Sequence, residues 1–299
     1  MIQAIQLVKR FDTKAALDGV NFEIKQGSIY GLVGANGSGK STLLRIIAGV
    51  YMPDGGNIIV DNMKVFNNPT IKDKICYLPD TPYFIHQSNL NEMARFYEGL
   101  YDSFSRERFD YLTSVFPLDR KAKIANMSKG MQRQAALILA LSCCPKYLLL
   151  DEAFDGLDPV MRKVLKSLLI EGIEDGKMTA IIASHNLREL EELCDSVGLI
   201  HNGKIVFNNT VEGLKGNLHK VQIAFERVPD TSVFESLNVL SMERMGSLIN
   251  LAVRGDAQDI EAFLRKLNPL FLELLPPTLE EIFMYELEVT GYDVKEILS

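Results

Sequence analysis

The chain has 299 residues, of which 47% are hydrophobic and 24% are charged, and its formal net charge is −7. This composition excludes an intrinsically disordered protein and is typical of a globular one. The acidic balance excludes a nucleic-acid-binding protein held by bulk electrostatics. It does not exclude an anionic ligand, because backbone amides bind phosphate even within acidic proteins. The longest uncharged apolar stretch, residues 134–145, is shorter than the ~20 residues that span a membrane.

The net charge is unevenly distributed along the chain. Residues 1–216 carry 25 basic and 25 acidic residues, whereas residues 217–299 carry 7 basic and 14 acidic residues. Such a sign asymmetry indicates separate structural units. We therefore predict two domains, a neutral one at 1–216 and an acidic accessory domain at 217–299.

Hydrophobic patterning predicts an α/β fold for the first domain, in chain order as follows. Strands are predicted at 4–10, 20–25, 28–33, 57–60 and 75–78, with a helix at 41–50. From about 84 to 145 the spacing becomes helical, at 90–101, 106–116 and 132–141. Strands then return at 147–150 and 179–183, each before a helix, at 159–174 and 187–193, and a hairpin follows at 196–207. The pattern predicts a mixed sheet core, an antiparallel β subdomain and a helical subdomain.

The second domain shows a different order of elements. Strands are predicted at 221–225, 239–243, 247–253 and 270–275, and helices at 231–237, 257–267 and 278–287. The first six of these elements follow the split βαβ plan, which predicts a small α+β domain of the ferredoxin-like type.

A glycine-rich motif between a predicted strand and helix carries the strongest chemical signal. It runs from Gly34 to Thr42 and matches GxxxxGK[ST]. The glycines allow backbone amides to turn toward phosphate oxygens, Lys40 adds its charge at the β- and γ-phosphates, and Ser41 ligates Mg²⁺. The predicted nucleotide-binding residues are Gly34, Asn36, Gly37, Ser38, Gly39, Lys40, Ser41 and Thr42.

A pair of carboxylates, Asp151 and Glu152, ends the apolar strand predicted at 147–150. The first is suited to hold Mg²⁺ through water, and the second to orient and deprotonate an attacking water. Alone, this pair is equally consistent with a solvated strand end. The glycine-rich motif favours the catalytic interpretation.

Five further motifs resemble those of ABC transporter ATPases. Residues 127–132, with the sequence MSKGMQ, resemble the family's signature loop, whose usual form is LSGGQ. Residues 155–158 are similar to the D-loop, and His185 follows a strand at the position of the switch histidine. Phe11 is similar to the aromatic residue that stacks on adenine. Asp80 lies where the family usually has glutamine, and the resemblance covers about residues 2–215.

The resemblance implies an ATP- and Mg²⁺-dependent ATPase with two subunits closed head-to-tail over two nucleotides. Catalytic residues would be Glu152, His185, Lys40 and Asp80. Metal ligands would be Ser41, Asp80 and Asp151, and adenine would stack on Phe11. Ser128 and Gly130 would contact the ATP of the opposite subunit. The implied partner is a membrane-spanning permease that docks near residues 80–101, which places the chain in the cytoplasm at the inner face of the membrane, without nucleic acid.

Two departures from the family pattern narrow the resemblance. Asp80 is shorter than glutamine and, when ionised, donates no hydrogen bond. Lys129 and Met131 replace the usual glycine and glutamine of the signature loop. The resulting Ser-Lys-Gly-Met sequence resembles bacterial drug-, lantibiotic- and peptide-exporting systems, as does the segment 278–283. This branch implies an exporter with separate ATPase and membrane chains.

Several alternatives remain open at the level of sequence. Phe11 and His185 are also explained as core residues, Ser128 as a helix cap and Lys129 as a solvated side chain. The whole chain is also consistent with an ABC-type ATPase that acts outside transport. A GTPase or kinase lacks support, because the chain has no Asn-Lys-x-Asp motif. The acidic domain either makes dimer or regulatory contacts or only stabilises the ATPase, and its charge predicts a location away from anionic lipid.

Overall fold

A computed structural model describes residues 1–176, 178–216 and 218–290 of the chain, with side chains described through residue 285. The chain divides into two compact units, Met1–Asn208 and a second that begins at Asn209. The division precedes residue 216 because the short helix α8, Val211–Lys215, contacts elements of the second unit.

The first unit contains two sheets. The antiparallel sheet has the order β2-β1-β4-β5, with strands β1 (Ile2–Phe11), β2 (Lys14–Ile24), β4 (Gly55–Val60) and β5 (Met63–Lys64). The second sheet has the order β10-β9-β3-β8-β7-β6, with strands β3 (Ile29–Val33), β6 (Ile75–Leu78), β7 (Tyr147–Asp151), β8 (Thr179–Ser184), β9 (Ser196–His201) and β10 (Lys204–Thr210). Its strands from β9 to β6 run parallel. Every residue of β3, β7 and β8 is buried, as expected for central parallel strands.

Except for the first two, the described helices of the first unit begin at side-chain N-caps. They are α1 (Lys40–Ile47), α2 (Pro69–Lys72), α3 (Leu90–Glu98), α4 (Arg106–Val115), α5 (Lys129–Ser142), α6 (Pro159–Glu174) and α7 (Leu187–Glu191). The sequence pattern predicts the start of α5 at 132, but the helix begins at Lys129. The reason is local, since the Ser128 hydroxyl accepts the Met131 N–H at 3.2 Å. Conversely, α1 ends earlier than predicted, and Gly49 follows it with φ +67°.

The second unit contains a four-stranded antiparallel sheet of order β12-β13-β11-β14. Its elements after α8 are β11 (Leu218–Ala224), β12 (Asn238–Met245), β13 (Leu248–Arg254), α9 (Ala257–Arg265), β14 (Phe271–Leu275) and α10 (Leu279–Thr290). The split βαβ order is therefore present. Its first helix is only a 3₁₀ turn, Thr231–Phe234, rather than a helix to 237. Among the described residues, no helix combines the length and apolar character needed to cross a bilayer.

Candidate active site

The candidate site lies where four parallel strands end. In the sheet, β3, β8, β7 and β6 are consecutive neighbours. Their carboxyl ends therefore meet at one edge, which is where ligands bind in parallel sheets. The strand ends, loops and helix start at this edge contain Gly34–Thr42, Asp80, Asp151–Glu152 and His185. The topology thus collects residues that are up to about 150 positions apart in the sequence.

The backbone of the glycine-rich loop is shaped for close approach of an anion. Gly37 and Gly39 have φ angles of +79° and +117°, which favour glycine. A Cβ atom at Gly34 would lie 2.5 Å from Ser38 Oγ, and one at Gly39 would lie 2.6 Å from the Ala16 carbonyl oxygen. The Ser38 hydroxyl is buried and has no hydrogen-bond partner among the described residues. A tight loop before a helix N-terminus, with an unpaired hydroxyl, fits a phosphate group.

The side chain of Lys40 is held inside this loop. Its Nζ atom donates to the carbonyl oxygens of Gly34 at 2.6 Å and Ala35 at 3.2 Å. The same atom lies 3.4 Å from Glu152 Oε1, and the Lys40 side chain is only 5% exposed. The ammonium group is therefore positioned at the loop before any substrate contact. The remaining members of the motif differ in exposure, since Asn36 is exposed and Thr42 half-buried.

Ser41 and Asp151 provide an oxygen pair beside the loop. The Ser41 hydroxyl donates to Asp151 Oδ1 at 3.1 Å, and the Tyr77 hydroxyl donates to Asp151 Oδ2 at 3.1 Å. Burial and the negative charge of Asp151 raise the pKa of Tyr77 to about 12, so Tyr77 remains a donor at neutral pH. Hydroxyl and carboxylate oxygens are the ligands that Mg²⁺ prefers, and the pair therefore fits this ion.

Glu152 and His185 lie in direct contact. His185 Nδ1 is 3.0 Å from Glu152 Oε2. Glu152 has a φ angle of +49°, while its N–H donates to the Ala183 carbonyl at 2.9 Å. A left-handed conformation at a non-glycine residue stores strain and frequently marks a functional site. His185 is half exposed, so it is not a buried core histidine. Ligand atoms of Asp155, Glu152 and His185 lie within 4.8 Å of one another.

The structure gives Asp80 a specific partner. Asp80 Oδ1 accepts a hydrogen bond from the Arg133 guanidinium at 2.9 Å. The Asp80 side chain is 61% exposed, whereas Arg133, on α5, is 8% exposed. Asp80 follows β6 at the same edge of the sheet, and its carboxylate is bound to the helical subdomain through Arg133.

The signature loop is exposed at the beginning of α5. Ser128 caps the helix, and both Ser128 and Lys129 are exposed. A Cβ atom at Gly130 would lie 2.6 Å from the Gly156 carbonyl oxygen, so Gly130 packs closely on the loop after β7. The cap interpretation of Ser128 is thus correct, and its exposure leaves the hydroxyl accessible to a ligand.

Phe11 is located at the end of β1 and is not a core aromatic. Its side chain is 43% exposed. The ring makes an edge contact with Tyr51, with centroids 5.5 Å apart, and Lys9 Nζ lies 5.5 Å from its centroid. An exposed, supported ring of this kind provides a surface on which a nucleobase can stack.

Sequence reasoning missed two residues of the site. Tyr77 belongs to β6, whose apolar pattern gives no indication that one hydroxyl reaches Asp151. Arg133 belongs to the polar first half of α5, and its burial against the segment after β6 depends on tertiary packing. No local pattern indicates that this arginine is buried or identifies its partner.

The chain is similar to known proteins in sequence and in fold. The sequence pattern of the family described as "ABC transporter" matches residues 17–155. The ABC transporter ATP-binding protein YtrB of Bacillus subtilis is 28% identical over 95% of this chain and 97% of its own length. The bacitracin transport ATP-binding protein BcrA of Bacillus licheniformis is 30% identical over 72% of this chain and 71% of its own.

A solved structure of an ATP-binding subunit of an ABC transporter is 26% identical to this chain. The TM-score between the two structures is 0.67, and the match covers 72% of this chain and 92% of the solved chain. The similarity in sequence and in fold is consistent with the phosphate-binding loop, the acidic strand end and the signature loop found here. The chain therefore belongs to the ABC transporter family, as an ATP-binding subunit of the ATP-hydrolysing type.

Proposed function

We propose that this chain hydrolyses Mg²⁺-bound ATP at the edge formed by β3, β8, β7 and β6 to drive export through a membrane-spanning partner. One observation carries the catalytic part of the proposal. The Glu152 carboxylate lies between Lys40 Nζ, at 3.4 Å, and His185 Nδ1, at 3.0 Å, directly beside the phosphate-binding loop.

The loop and Lys40 account for substrate binding. Backbone amides from Gly34 to Thr42 and the N-terminus of α1 would hold the β- and γ-phosphates. Lys40 would exchange its contacts with the loop carbonyls for phosphate oxygens, where its charge is better compensated. Phe11 would stack on adenine.

Glu152 is the proposed general base. Its carboxylate would orient the attacking water and accept its proton, a role that typically contributes about 10²–10⁴-fold to rate. With both ring nitrogens protonated, His185 would donate through Nδ1 to Glu152 and through Nε2 to the γ-phosphate. Mg²⁺, held by Ser41 and Asp151, would supply positive charge against the phosphate oxygens.

The exposed signature loop supports a dimer. In the proposed dimer, Ser128 and Gly130 of one subunit contact the γ-phosphate of ATP bound to the other. ATP then links the subunits, and hydrolysis removes the contacts that hold them together. The partner subunit is either a second copy or a related chain.

The names of the relatives support transport. BcrA is named for bacitracin transport, and the Ser-Lys-Gly-Met signature resembles exporting systems. We therefore place the chain at the inner face of the cell membrane, where a permease contacts residues 80–101. The test is affinity purification of the full chain from its native membranes, with an ATPase assay of the product. Recovery of a multi-span protein supports transport, whereas an active ATPase without such a partner supports a role outside transport.

For the second unit we propose an accessory role in dimer contact or regulation. Leu264 is fully buried in its core, so Leu264→Ala should destabilise this unit by about 2–5 kcal/mol. The proposal predicts that this full-length variant loses ATP-dependent dimerisation or changes its ATPase rate. An unchanged rate and an unchanged dimer would show that the second unit has neither role.

A further inference from the structure

The Arg133 side chain is almost fully buried, and within the described part of the chain both of its hydrogen bonds go to the segment after β6. Its NH1 group donates to the Pro79 carbonyl at 3.0 Å, and its NH2 group donates to Asp80 Oδ1 at 2.9 Å. A buried guanidinium is tolerated only with good acceptors. Arg133 therefore fixes the path of the chain at Pro79 and Asp80.

Asp80 lies at the same sheet edge as the catalytic carboxylates. In the parallel pair β6–β7, Leu78 is opposite Leu150, so Asp80 and Asp151 leave the edge on neighbouring strands. The two side chains of the ion pair differ in how freely they can move. Asp80 is 61% exposed and can change rotamer in water, whereas Arg133 is 8% exposed and is confined by packing. If the pair opens, Asp80 is the side chain that moves.

Arg133 is also coupled to the signature loop through α5. The preceding residue, Gln132, donates through Nε2 to the Met127 carbonyl at 3.1 Å and to the Ile124 carbonyl at 3.3 Å. Gln132, which binds the signature loop, and Arg133, which binds Asp80, are thus neighbours in the same turn of α5. A displacement of Asp80 therefore breaks a contact of the turn that also binds the signature loop.

We propose that Arg133 is a positioning residue that competes with the divalent cation for the Asp80 carboxylate. The inference rests on the proposed function, since it requires a cation at Ser41 and Asp151. With Arg133 in place, the Asp80 charge is compensated within the chain. Binding of a divalent cation offers Asp80 a second partner on its own edge of the sheet. If the Asp80 carboxylate moves from Arg133 to the cation, α5, which begins at the signature loop, loses its ion pair with Asp80.

The competition predicts opposite effects for single substitutions of Asp80 and of Arg133. Asp80→Asn removes the carboxylate, so it should raise the Mg²⁺ concentration needed for half-maximal nucleotide binding. Arg133→Gln frees the carboxylate, so it should lower that concentration. We expect each shift to be about fivefold, the size associated with one partly exposed charge pair. A purely structural ion pair would shift both variants in the same direction, because either substitution breaks it.

The test measures binding of a fluorescent methylanthraniloyl derivative of ATP to the full chain during Mg²⁺ titration. Arg108→Gln is the matched control, because Arg108 on α4 pairs with Glu171 on α6 at 2.7 Å, outside the site. It should leave the Mg²⁺ titration unchanged. If Arg133→Gln does not fold, Arg133→Lys should lower the Mg²⁺ requirement by a smaller factor, because a lysine keeps only part of the contact that Arg133 makes with Pro79 and Asp80.

Opposite shifts for Asp80→Asn and the Arg133 variant support the competition. Shifts in the same direction, or no shift at Arg133, overturn it. The double variant Asp80→Asn/Arg133→Gln should match Asp80→Asn alone, because Arg133 acts through Asp80, and an additional shift also overturns the inference. Failure of the unsubstituted chain to bind the nucleotide would instead contradict the proposed function.

Discussion

The phosphate-binding side and the signature loop differ in how much of their chemistry is arranged within the chain. On the phosphate side, Lys40 is 5% exposed and Asp151 is 1% exposed, and each contacts neighbouring groups of the site. At the signature loop, Ser128 and Lys129 are exposed on the end of α5. The first region is therefore preorganised to hold a ligand in its own subunit. In the proposed dimer, the second region contacts the ligand bound to the other subunit.

The largest expected effect concerns the proposed base. Glu152→Gln keeps the size of the side chain but removes the proton acceptor, so turnover should fall at least ~10²-fold while ATP binding is retained. Steady-state phosphate release and equilibrium nucleotide binding measure the two quantities. Hydrolysis by this variant at the parent rate would contradict the role of Glu152.

Removal of the buried cation should act on binding rather than on chemistry alone. Lys40→Ala deletes the ammonium group at the loop and leaves Glu152 without that neighbour. We expect nucleotide affinity to fall by about 10–100-fold, as for loss of a charge-assisted phosphate contact. Lys166→Ala is the control, because Lys166 forms a surface pair with Glu192 at 2.6 Å. Equal affinity of the Lys40 variant and this control would contradict the phosphate-binding interpretation.

A charged side chain that still caps α5 tests the role of the signature loop. Ser128→Asp retains a good N-cap residue, so α5 should remain folded. Its carboxylate would repel a phosphate group, and turnover should fall by about tenfold or more, with little change in nucleotide affinity of the single subunit. Ser105→Asp is the matched control, since Ser105 caps α4 through the Arg108 N–H at 3.1 Å. Equal turnover in both variants would show that the signature loop is not part of the site.

The smallest expected effect concerns Tyr77. Tyr77→Phe removes the hydroxyl that orients Asp151 and should raise the Mg²⁺ requirement of nucleotide binding by about two- to threefold. Tyr147→Phe is the control, because its hydroxyl contacts Asp61 in another part of the fold. A Mg²⁺ titration of both variants makes the comparison, and identical curves would remove Tyr77 from the site.

The sequence pattern predicted most of the fold for a physical reason. Apolar runs such as Tyr147–Leu150 belong to buried parallel strands, and their periodicity reflects their burial. The glycine motif was also predictable, because a left-handed backbone favours glycine at Gly37 and Gly39, and the close approach of the Ala16 carbonyl also requires it at Gly39. Local rules were less successful at helix ends, where the Ser128 cap extended α5 toward the N-terminus.

The remaining features of the site depend on packing between distant elements. No local pattern shows that Arg133 binds Asp80 or that Tyr77 reaches Asp151, because each pair forms only after the strand order is established. The contact between His185 and Glu152 was likewise not predictable from the sequence, although both residues were identified as site residues. Sequence patterns therefore identified the motif residues, while the structure was needed to identify their partners.

The central claim is that one subunit supplies the base and another supplies the signature loop to the same ATP. Mixing Glu152→Gln with Ser128→Asp tests it directly. Glu152→Gln alone should be nearly inactive, and Ser128→Asp alone should be slower than the parent by about tenfold or more. If two copies of this chain form the dimer, a mixed dimer contains one site with an intact Glu152 from one copy and an intact Ser128 from the other. The account predicts that ATPase activity returns on mixing. A mixture as inactive as the two separate variants would contradict it.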